Sequence, residues 1–367
     1  MTEPASAAAP EPTPDASSAE GTAPTERGWG KLLLALAAFV LIPKIPQISA
    51  LLPIEQTMIL FVPALAACAL VGWWAGGRAF LAVAWVAIAV LMSVHSSATA
   101  DPFYNLTRGW SLLLGGAFGL VCLFNTTRPF FARALVALGL TLGLALFMSM
   151  LGPVTMSQAS TIVGQELGQR NQQFLATLDS VIATHPKDWQ ELTEKMPQLS
   201  QFPDQTAQTL TTISRGGIVV FPALLALESL AALALAWTTY HRFSRARLGP
   251  PLKALREFRF NDQLVWGLIV GLVIVLLPTL TALSGVGKNL LIFFGALYAL
   301  RGLGVLSWFM APRSLGVVLG VGFVMLAAPV LGIVVAFGFV MLGIAALALG
   351  LGDTWADWRS RARPTSS

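Results

Sequence analysis

Charged residues are scarce in this chain. They make up 11% of 367 residues, while hydrophobic residues make up 55%, and ordinary soluble domains carry about 25% charged residues. Apolar runs long enough to cross a bilayer recur along the sequence. The composition therefore excludes a soluble globular domain and indicates an all-α, polytopic transmembrane bundle of about ten spans.

Cysteine and histidine are also few, and their placement argues against metal and catalytic sites. Cys68 and Cys122 lie in apolar runs, where we expect reduced packing residues. The histidines, His95, His185 and His241, lack zinc-ligand spacing, and neither a nucleophile elbow nor a correctly spaced phosphate loop is present. We therefore expect no catalytic residues, no metal and no cofactor, and a protein that is not an enzyme.

The chain divides into regions of contrasting polarity. We predict a disordered polar tail (1–29), a first transmembrane half of five spans (30–152), an extracytoplasmic helical cap (153–215), a second half of five spans (216–353) with a basic cytoplasmic link (241–262), and a cytoplasmic tail (354–367). Within the cap, Phe174, Leu175, Leu178 and Ile182 recur at helical spacing. His185 and Pro186 then end that helix.

The spans themselves follow the apolar runs. We place them at about 31–51, 55–75, 79–94, 109–125, 131–152, 217–240, 263–284 and 289–310, and we divide the last run, 315–351, near 327–329 into two spans. In the first span, Pro43 and Pro46 predict a kink or an early end of the helix. Lys44 beside them either reaches the outer interface or lines a cavity.

Lysine and arginine cluster at the ends of these runs, which explains a pI near 9.6 without nucleic acid as a partner. With ten spans and a cytoplasmic amino terminus, Lys44, Arg108 and Lys288 are the cations left in short outer loops. This bias predicts two cytoplasmic termini. We expect the chain to lie in the bacterial inner membrane. The basic link sets the topology, and it also suits anionic lipids or a cytoplasmic partner.

Arg301 is the least expected residue, because it lies inside the apolar run 289–310. A guanidinium at the bilayer centre costs about 2.5–3.5 kcal/mol on insertion scales, so it needs a partner, water or a function. Gly302 and Gly304 beside it allow another backbone to come close. Tyr298 and Trp308 fall on the same side of the helix as Arg301.

Glu228 lies near the centre of another span, and we hypothesise that it meets Arg301. One interpretation is an internal ion pair that fixes helix register. A second is a ligand site in which Arg301 binds an anionic group, with Glu228, Tyr298 and Trp308 beside it. A proton relay through Glu228 is a third. Two glycine pairs also permit close helix contact: Gly139 with Gly143, and Gly267 with Gly271.

The carboxyl-terminal pattern resembles a known family. An apolar run leads to Gly302, two further apolar segments follow, and then come Gly352-Asp353 and Asp357-Trp358-Arg359. This resembles the YybS-like family of bacterial membrane proteins, which commonly shows an amide residue where Arg301 stands. That family is distantly similar to substrate-binding subunits of energy-coupling-factor vitamin transporters. The resemblance implies a helical bundle that captures a small molecule and depends on an ATPase module supplied by other chains.

The sequence alone is therefore compatible with two functions. The first is a transporter-like binding subunit for an unknown small molecule, with an energising ATPase or other membrane subunit as partner. The second is a non-catalytic scaffold or regulator that acts through the outer cap or the basic link. An enclosed polar cavity lined by Arg301 and Glu228 would favour the first function, and a solidly packed interior would favour the second.

Overall fold

The computed structural model describes residues 29–45, 48–49, 57–95, 101–125, 128–152, 154–184, 186–195, 197–244, 246, 248–310, 317–322, 325 and 329–358. Some predictions fall outside these residues: the disordered tail up to residue 28, the roles of Pro46 and His185, the division of the last apolar run at 326–328, and the tail beyond 358.

The described residues form helices and no strand, which confirms the all-α prediction. The helices are α1 (Trp29–Leu41), α2 (Thr57–Trp74), α3 (Ala79–His95), α4 (Pro102–Phe124), α5 (Phe130–Leu151), α6 (Met156–Thr184), α7 (Pro186–Lys195), α8 (Phe202–Phe243), α9 (Val265–Leu276), α10 (Ser284–Phe309) and α11 (Pro329–Ala356). Short 3-10 turns lie at Ile42–Lys44, Pro197–Gln201, Leu255–Glu257, Asp262–Leu264 and Pro278–Leu283.

Six helical segments in the described part are long and apolar enough to cross a membrane. They are Thr57–Trp74, Pro102–Phe124, Phe130–Leu151, Ser214–Phe243, Pro278–Phe309 and Gly338–Ala356. Two shorter apolar helices, α3 and α9, lie beside them. The total of about ten spans therefore stays a prediction.

Proline decides where several helices end. α1 ends at Leu41 and is followed by a 3-10 turn at Ile42–Lys44, so the helix ends early, as one of the two predicted alternatives had it. α9 likewise ends before Pro278, because proline has no N–H to donate and clashes with the preceding turn. Pro102 acts differently: it occupies the first turn of α4, where Asp101 caps the helix by accepting from the Phe103 N–H.

Helix α2 is the centre of the first half. Of its apolar window 67% is buried inside the protein, against 17–39% in the other five. It packs between α4 and α8, and its Leu65 is buried with Leu114 and Phe118 of α4. An aromatic cluster closes this core, because Phe118, Phe130 and Trp237 lie with ring centroids 5.6–6.2 Å apart.

Helix α8 joins the polar segment to the membrane segment without a break. It runs for 42 residues through the predicted boundary at 215, because a change of polarity does not interrupt backbone hydrogen bonding. We call α6, α7 and residues 202–213 of α8 the polar hairpin. Asn171 of α6 donates to Ser214 of α8, and Leu167 of α6 is fully buried. The predicted helical cap is thus confirmed as helical, while its outer location stays a prediction.

The two ends of the bundle are defined by α8. At 1.5 Å per residue this helix is about 63 Å long, so the polar hairpin at its start and residues 244–262 after its end lie at opposite ends of the molecule. The predicted basic link, 241–262, begins later than predicted because α8 continues to Phe243. We therefore call the described residues of 244–262 the link, and we name the two ends of the molecule the hairpin end and the link end.

Glycine allows the closest helix contacts in the second half. A Cβ atom added to Gly302 would lie 1.7 Å from the carbonyl oxygen of Ala346. A Cβ atom added to Gly350 would lie 1.9 Å from the carbonyl oxygen of Tyr298. Gly267 and Gly271 of α9 likewise face α10. These contacts confirm the predicted use of Gly302, Gly267 and Gly271. By contrast, nothing lies within 4 Å of a Cβ on Gly139 or Gly143, so that pair makes no close helix contact within the described residues.

Candidate functional site

Helix α10 carries Arg301 into a cleft between α11 and the link. The helix begins at Ser284 and ends at Phe309, so Arg301 lies toward the link end rather than near the middle of the span. Gly302 faces the backbone of α11, and a Cβ on Gly304 would lie 2.5 Å from the Leu255 carbonyl oxygen of the link. The two glycines that flank Arg301 therefore bring both neighbours within its reach, as the sequence predicted.

Two aspartates bind the Arg301 guanidinium. Its Nε donates to Asp353 Oδ2 at 3.0 Å, its Nη2 to the Asp353 carbonyl at 3.3 Å, and its Nη1 to Asp262 Oδ1 at 2.6 Å. The side chains of Arg301 and Asp353 are 3% and 0% exposed, whereas Asp262 is 60% exposed. The guanidinium carbon also lies 5.5 Å from the centre of the Phe260 ring. Buried charges require such pairing, and the cluster supplies it.

The predicted pair between Glu228 and Arg301 is wrong. Asn289 of α10 bonds Val219 and Ala223 of α8, and both helices run toward the link end. Glu228 lies five residues beyond Ala223, whereas Arg301 lies twelve residues beyond Asn289. This difference separates the two charges by about 10 Å along the bundle. Within the described residues, Glu228 forms no hydrogen bond or ion pair, and its side chain is half-buried.

The two aromatic candidates have different surroundings. Tyr298 is fully buried, and its ring lies 5.0 Å from that of Phe260, which in turn faces Arg301. Trp308 is half-buried, and its described ring contact is with the neighbouring Phe309 at 5.2 Å. Tyr298 thus belongs to the wall of the Arg301 cluster, whereas no described hydrogen bond or ring contact joins Trp308 to it.

A second buried arginine, Arg133, fixes the other part of the link. Its side chain is 0% exposed, and its Nη1 donates to the Leu248 carbonyl at 2.7 Å. The guanidinium also lies 5.2 Å from the Trp237 ring centre. A Cβ on Gly249, where φ is +152°, would approach Arg133 Nη2 to 2.6 Å, so both the conformation and the space favour glycine there.

Further bonds from the end of α8 hold the link against the bundle. Tyr240 donates to the Ala246 carbonyl at 2.9 Å, and Trp237 donates to the Pro250 carbonyl at 3.3 Å. Ring contacts of 5.5 Å join Phe131 of α5 to Phe258 and Phe260 of the link. The described part of the link is therefore an ordered segment across the helix ends, and the carbonyls of Ala246, Leu248 and Pro250 accept hydrogen bonds from side chains of the bundle.

Sequence reasoning missed Arg133, Asp262 and Asp353 as members of this arrangement. Arg133 lies near the start of an apolar helix, where it resembles an ordinary topology signal. Asp262 and Asp353 lie at the ends of apolar runs and look solvated. One feature of the sequence could have identified the two aspartates. They lie at the same predicted end of the bundle as the basic link, and a buried arginine needs a carboxylate within reach.

The arrangement suits a fixed ionic contact better than chemistry. Arg301 directs three donors to two aspartates and is almost inaccessible, so it offers little to an incoming anion in this conformation. Among the described residues, no group of three His, Cys, Asp or Glu side chains is arranged to hold a metal ion. A cavity of about 550 Å³ lies elsewhere, between α2, α3 and α4, and its lining is apolar.

Comparisons with known proteins give one match. Residues 36–354 match the family described as "Predicted membrane protein (DUF2232)". No curated protein and no solved structure matches the chain. The match supports a multi-pass membrane protein, as the sequence predicted, and leaves the family name and transporter similarity suggested by the resemblance as expectations.

Proposed function

Because this chain belongs to the DUF2232 family of predicted membrane proteins, we propose that it acts as a non-catalytic membrane scaffold whose link end binds an acidic protein partner. The observation that carries this proposal is the link itself. Two buried arginines from different helices, Arg133 and Arg301, anchor it at Leu248 and Asp262. A segment held at both of its ends offers a preformed surface, and preformed surfaces lose little entropy on binding.

The solvent-facing side of the link is mainly positive, although Glu257 lies 3.8 Å from Arg256 and Asp262 is 60% exposed. Lys253 and Arg256 of the link are exposed, and so are Arg78 and Arg128 in the adjacent helix connections. Gly77 lies beside Ala246 of the link, which places the α2–α3 connection at the same end. Complementary charge speeds association and selects partners, so this face suits an acidic protein at the membrane surface. In the predicted topology it faces the cytoplasm.

Site-specific photo-crosslinking in growing cells tests the scaffold function. A photoreactive residue at position 253 of the full-length protein is expected to give a discrete protein adduct, identified by mass spectrometry. The Lys253→Glu and Arg256→Glu double variant should then weaken binding of that purified partner at least roughly tenfold, an effect of about 1.4 kcal/mol. The control is Lys288→Glu, which reverses an exposed charge at the hairpin end and should leave binding unchanged.

Two results would overturn the scaffold proposal. One is the absence of any protein adduct at position 253 while the protein is correctly inserted. The other is a partner whose affinity is the same for the wild type and the charge-reversed variant, because the link surface would then play no part in recognition.

The transporter-like subunit is the second candidate, and Glu228 is the observation that favours it. A carboxylate inside a span, without a partner among the described residues, marks a functional position more often than a structural one. This function requires Arg301 to leave its aspartates, or the ligand to bind without it. Mass spectrometry of extracts from purified protein tests it: a defined small molecule should co-purify with the wild type and be lost in Glu228→Gln.

A further inference from the structure

A groove opens on the lateral surface of the first half, away from the Arg301 cluster. Its volume is about 550 Å³, within the range of about 300–1,000 Å³ that is typical of ligand sites. Helices α2, α3 and α4 supply its walls, and Ser93 is the polar side chain among its lining residues. Its floor is formed by small residues, which include Ala66, Ala89 and Gly119.

The groove faces the surroundings that lipid tails would occupy. Its rim consists of Leu70, Val90, Val94, Leu112, Leu120 and Leu123, which are 40–63% exposed although they belong to apolar helices. Along α4 the lining extends from Leu112 to Leu123, a length of about 16 Å at 1.5 Å per residue. The hydrocarbon core of a bilayer is about 30 Å thick, so the groove spans about one leaflet.

A positively charged side chain, that of Arg108, lies at the hairpin end of the groove. Arg108 of α4 is half-buried, and its Nη1 donates to the carbonyl of Ser93, which lines the groove, at 2.9 Å. A guanidinium carries five N–H donors, and within the described residues the Arg108 side chain makes this one hydrogen bond. The sequence predicted Arg108 in a short outer loop, whereas the structure places it inside α4, six residues after Pro102 and within a candidate membrane span.

We propose that this groove binds a phospholipid, with one acyl chain between α2, α3 and α4 and its phosphate at Arg108. The apolar lining excludes a polar solute, and the length fits one chain of one leaflet. Arginine suits phosphate because its planar N–H groups bind two oxygens at once. The groove lies between α2, α3 and α4 and includes no residue of the link, so the proposed site is independent of the proposed scaffold function.

Gly116 provides a direct test, because it lines the groove and nothing lies within 4 Å of a Cβ built on it. Gly116 is exposed, and its Cβ position is open, so Gly116→Leu adds an apolar side chain to the groove with no clash at the Cβ. The matched control is Gly139→Leu on α5, which is exposed and equally open but outside the groove. Arg108→Gln tests the phosphate contact.

The measurement is native mass spectrometry of the full-length protein in a neutral detergent, titrated with phosphatidylglycerol. One lipid should bind the wild type and Gly139→Leu with equal affinity, and this adduct should disappear in Gly116→Leu. In Arg108→Gln its affinity should fall at least roughly tenfold. Diacylglycerol with the same chains should bind as weakly as phosphatidylglycerol binds Arg108→Gln, because it lacks the phosphate.

Two outcomes would overturn the lipid site. If Gly116→Leu retains the adduct, the lipid does not lie in the groove. If diacylglycerol binds the wild type as tightly as phosphatidylglycerol, the site selects a chain alone and Arg108 has no part in it. Should Gly116→Leu fail to insert, Val90→Trp narrows the same groove from its exposed rim on α3 and must abolish the same adduct.

Discussion

Arg301 shows how a single charge can be accommodated inside an apolar bundle. Its partner Asp353 is as deeply buried as the arginine, while Asp262 remains largely exposed. The contact with Asp353 therefore contributes most to stability, because an unpaired charge in a low-dielectric interior is strongly unfavourable. The exposed contact with Asp262 contributes little.

We therefore predict that Arg301→Met destabilises the protein by about 3–5 kcal/mol, since it removes the guanidinium that binds the fully buried Asp353 carboxylate. Adding Asp353→Asn to this variant should recover part of the loss. Arg259→Gln is the control: it removes an exposed ion pair with Asp357, and its expected cost is at most about 1 kcal/mol. Reversible unfolding in mixed micelles measures all three, and equal losses for Arg301→Met and Arg259→Gln would contradict the buried-pair explanation.

At the scale of helices, the contacts in this bundle depend on small residues and on an amide side chain. Helices of soluble proteins instead pack through large apolar side chains. Helices α10 and α11 cross where Gly302 meets Ala346 and where Gly350 meets Tyr298. Helices α8 and α10 are joined instead by Asn289, which bonds backbone groups beside Pro222. Close approach and side-chain hydrogen bonds are the interactions that remain useful when the surroundings are themselves apolar.

The crossing of α10 and α11 gives the first prediction at this scale. Gly302→Ala places a methyl group against the Ala346 carbonyl and should destabilise the protein by about 1–3 kcal/mol. Gly295→Ala on the same helix has nothing within 4 Å of its Cβ, so its stability should not fall. Thermal unfolding of the two detergent-purified variants compares them. A Gly302→Ala variant as stable as Gly295→Ala would show that the helices have room to separate.

Asn289 gives the second prediction at the scale of helices. Its amide accepts from the Ala223 N–H at 2.8 Å and donates to the Val219 carbonyl at 2.7 Å, the two groups that a regular helix joins to each other. Asn289→Leu should cost about 1–3 kcal/mol for each group left unsatisfied. In that background Pro222→Ala should restore stability, because a regular helix then satisfies both groups. The four variants form a double-mutant cycle in unfolding measurements, and strict additivity would disprove the coupling.

At the scale of the whole molecule, α8 separates two polar surfaces of different character. The polar hairpin continues α8 beyond one end of the bundle, and the basic link crosses the other end. Their separation follows from one continuous helix of 42 residues, which is longer than the roughly 20 residues needed to span a bilayer. The positive-inside bias predicts that the link is the cytoplasmic surface.

Accessibility labelling tests this orientation. Thr177 on the hairpin and Lys253 on the link are both exposed, whereas Cys68 and Cys122 are buried and free. In intact cells a membrane-impermeant maleimide should label Thr177→Cys and should reach Lys253→Cys only after permeabilisation. The native protein, carried through both steps, reports any labelling of the buried thiols. Labelling of both positions from the same side would overturn the predicted topology.

The sequence determined that this chain is a bundle of apolar helices, because composition and run length depend on local chemistry alone. It also identified Gly302, Gly267 and Gly271 as points of close helix approach, although Gly139 and Gly143 make no such contact among the described residues. It further showed that Arg301 needs a partner. The tertiary structure decided what shelters it. Asp262 and Asp353 are 39 and 52 residues away in the chain, and only the relative depth of packed helices brings them to Arg301 while leaving Glu228 about two turns away. The depth of each side chain in the bundle depends on where its helix begins and ends. Prolines, helix caps and neighbouring helices determine these positions together.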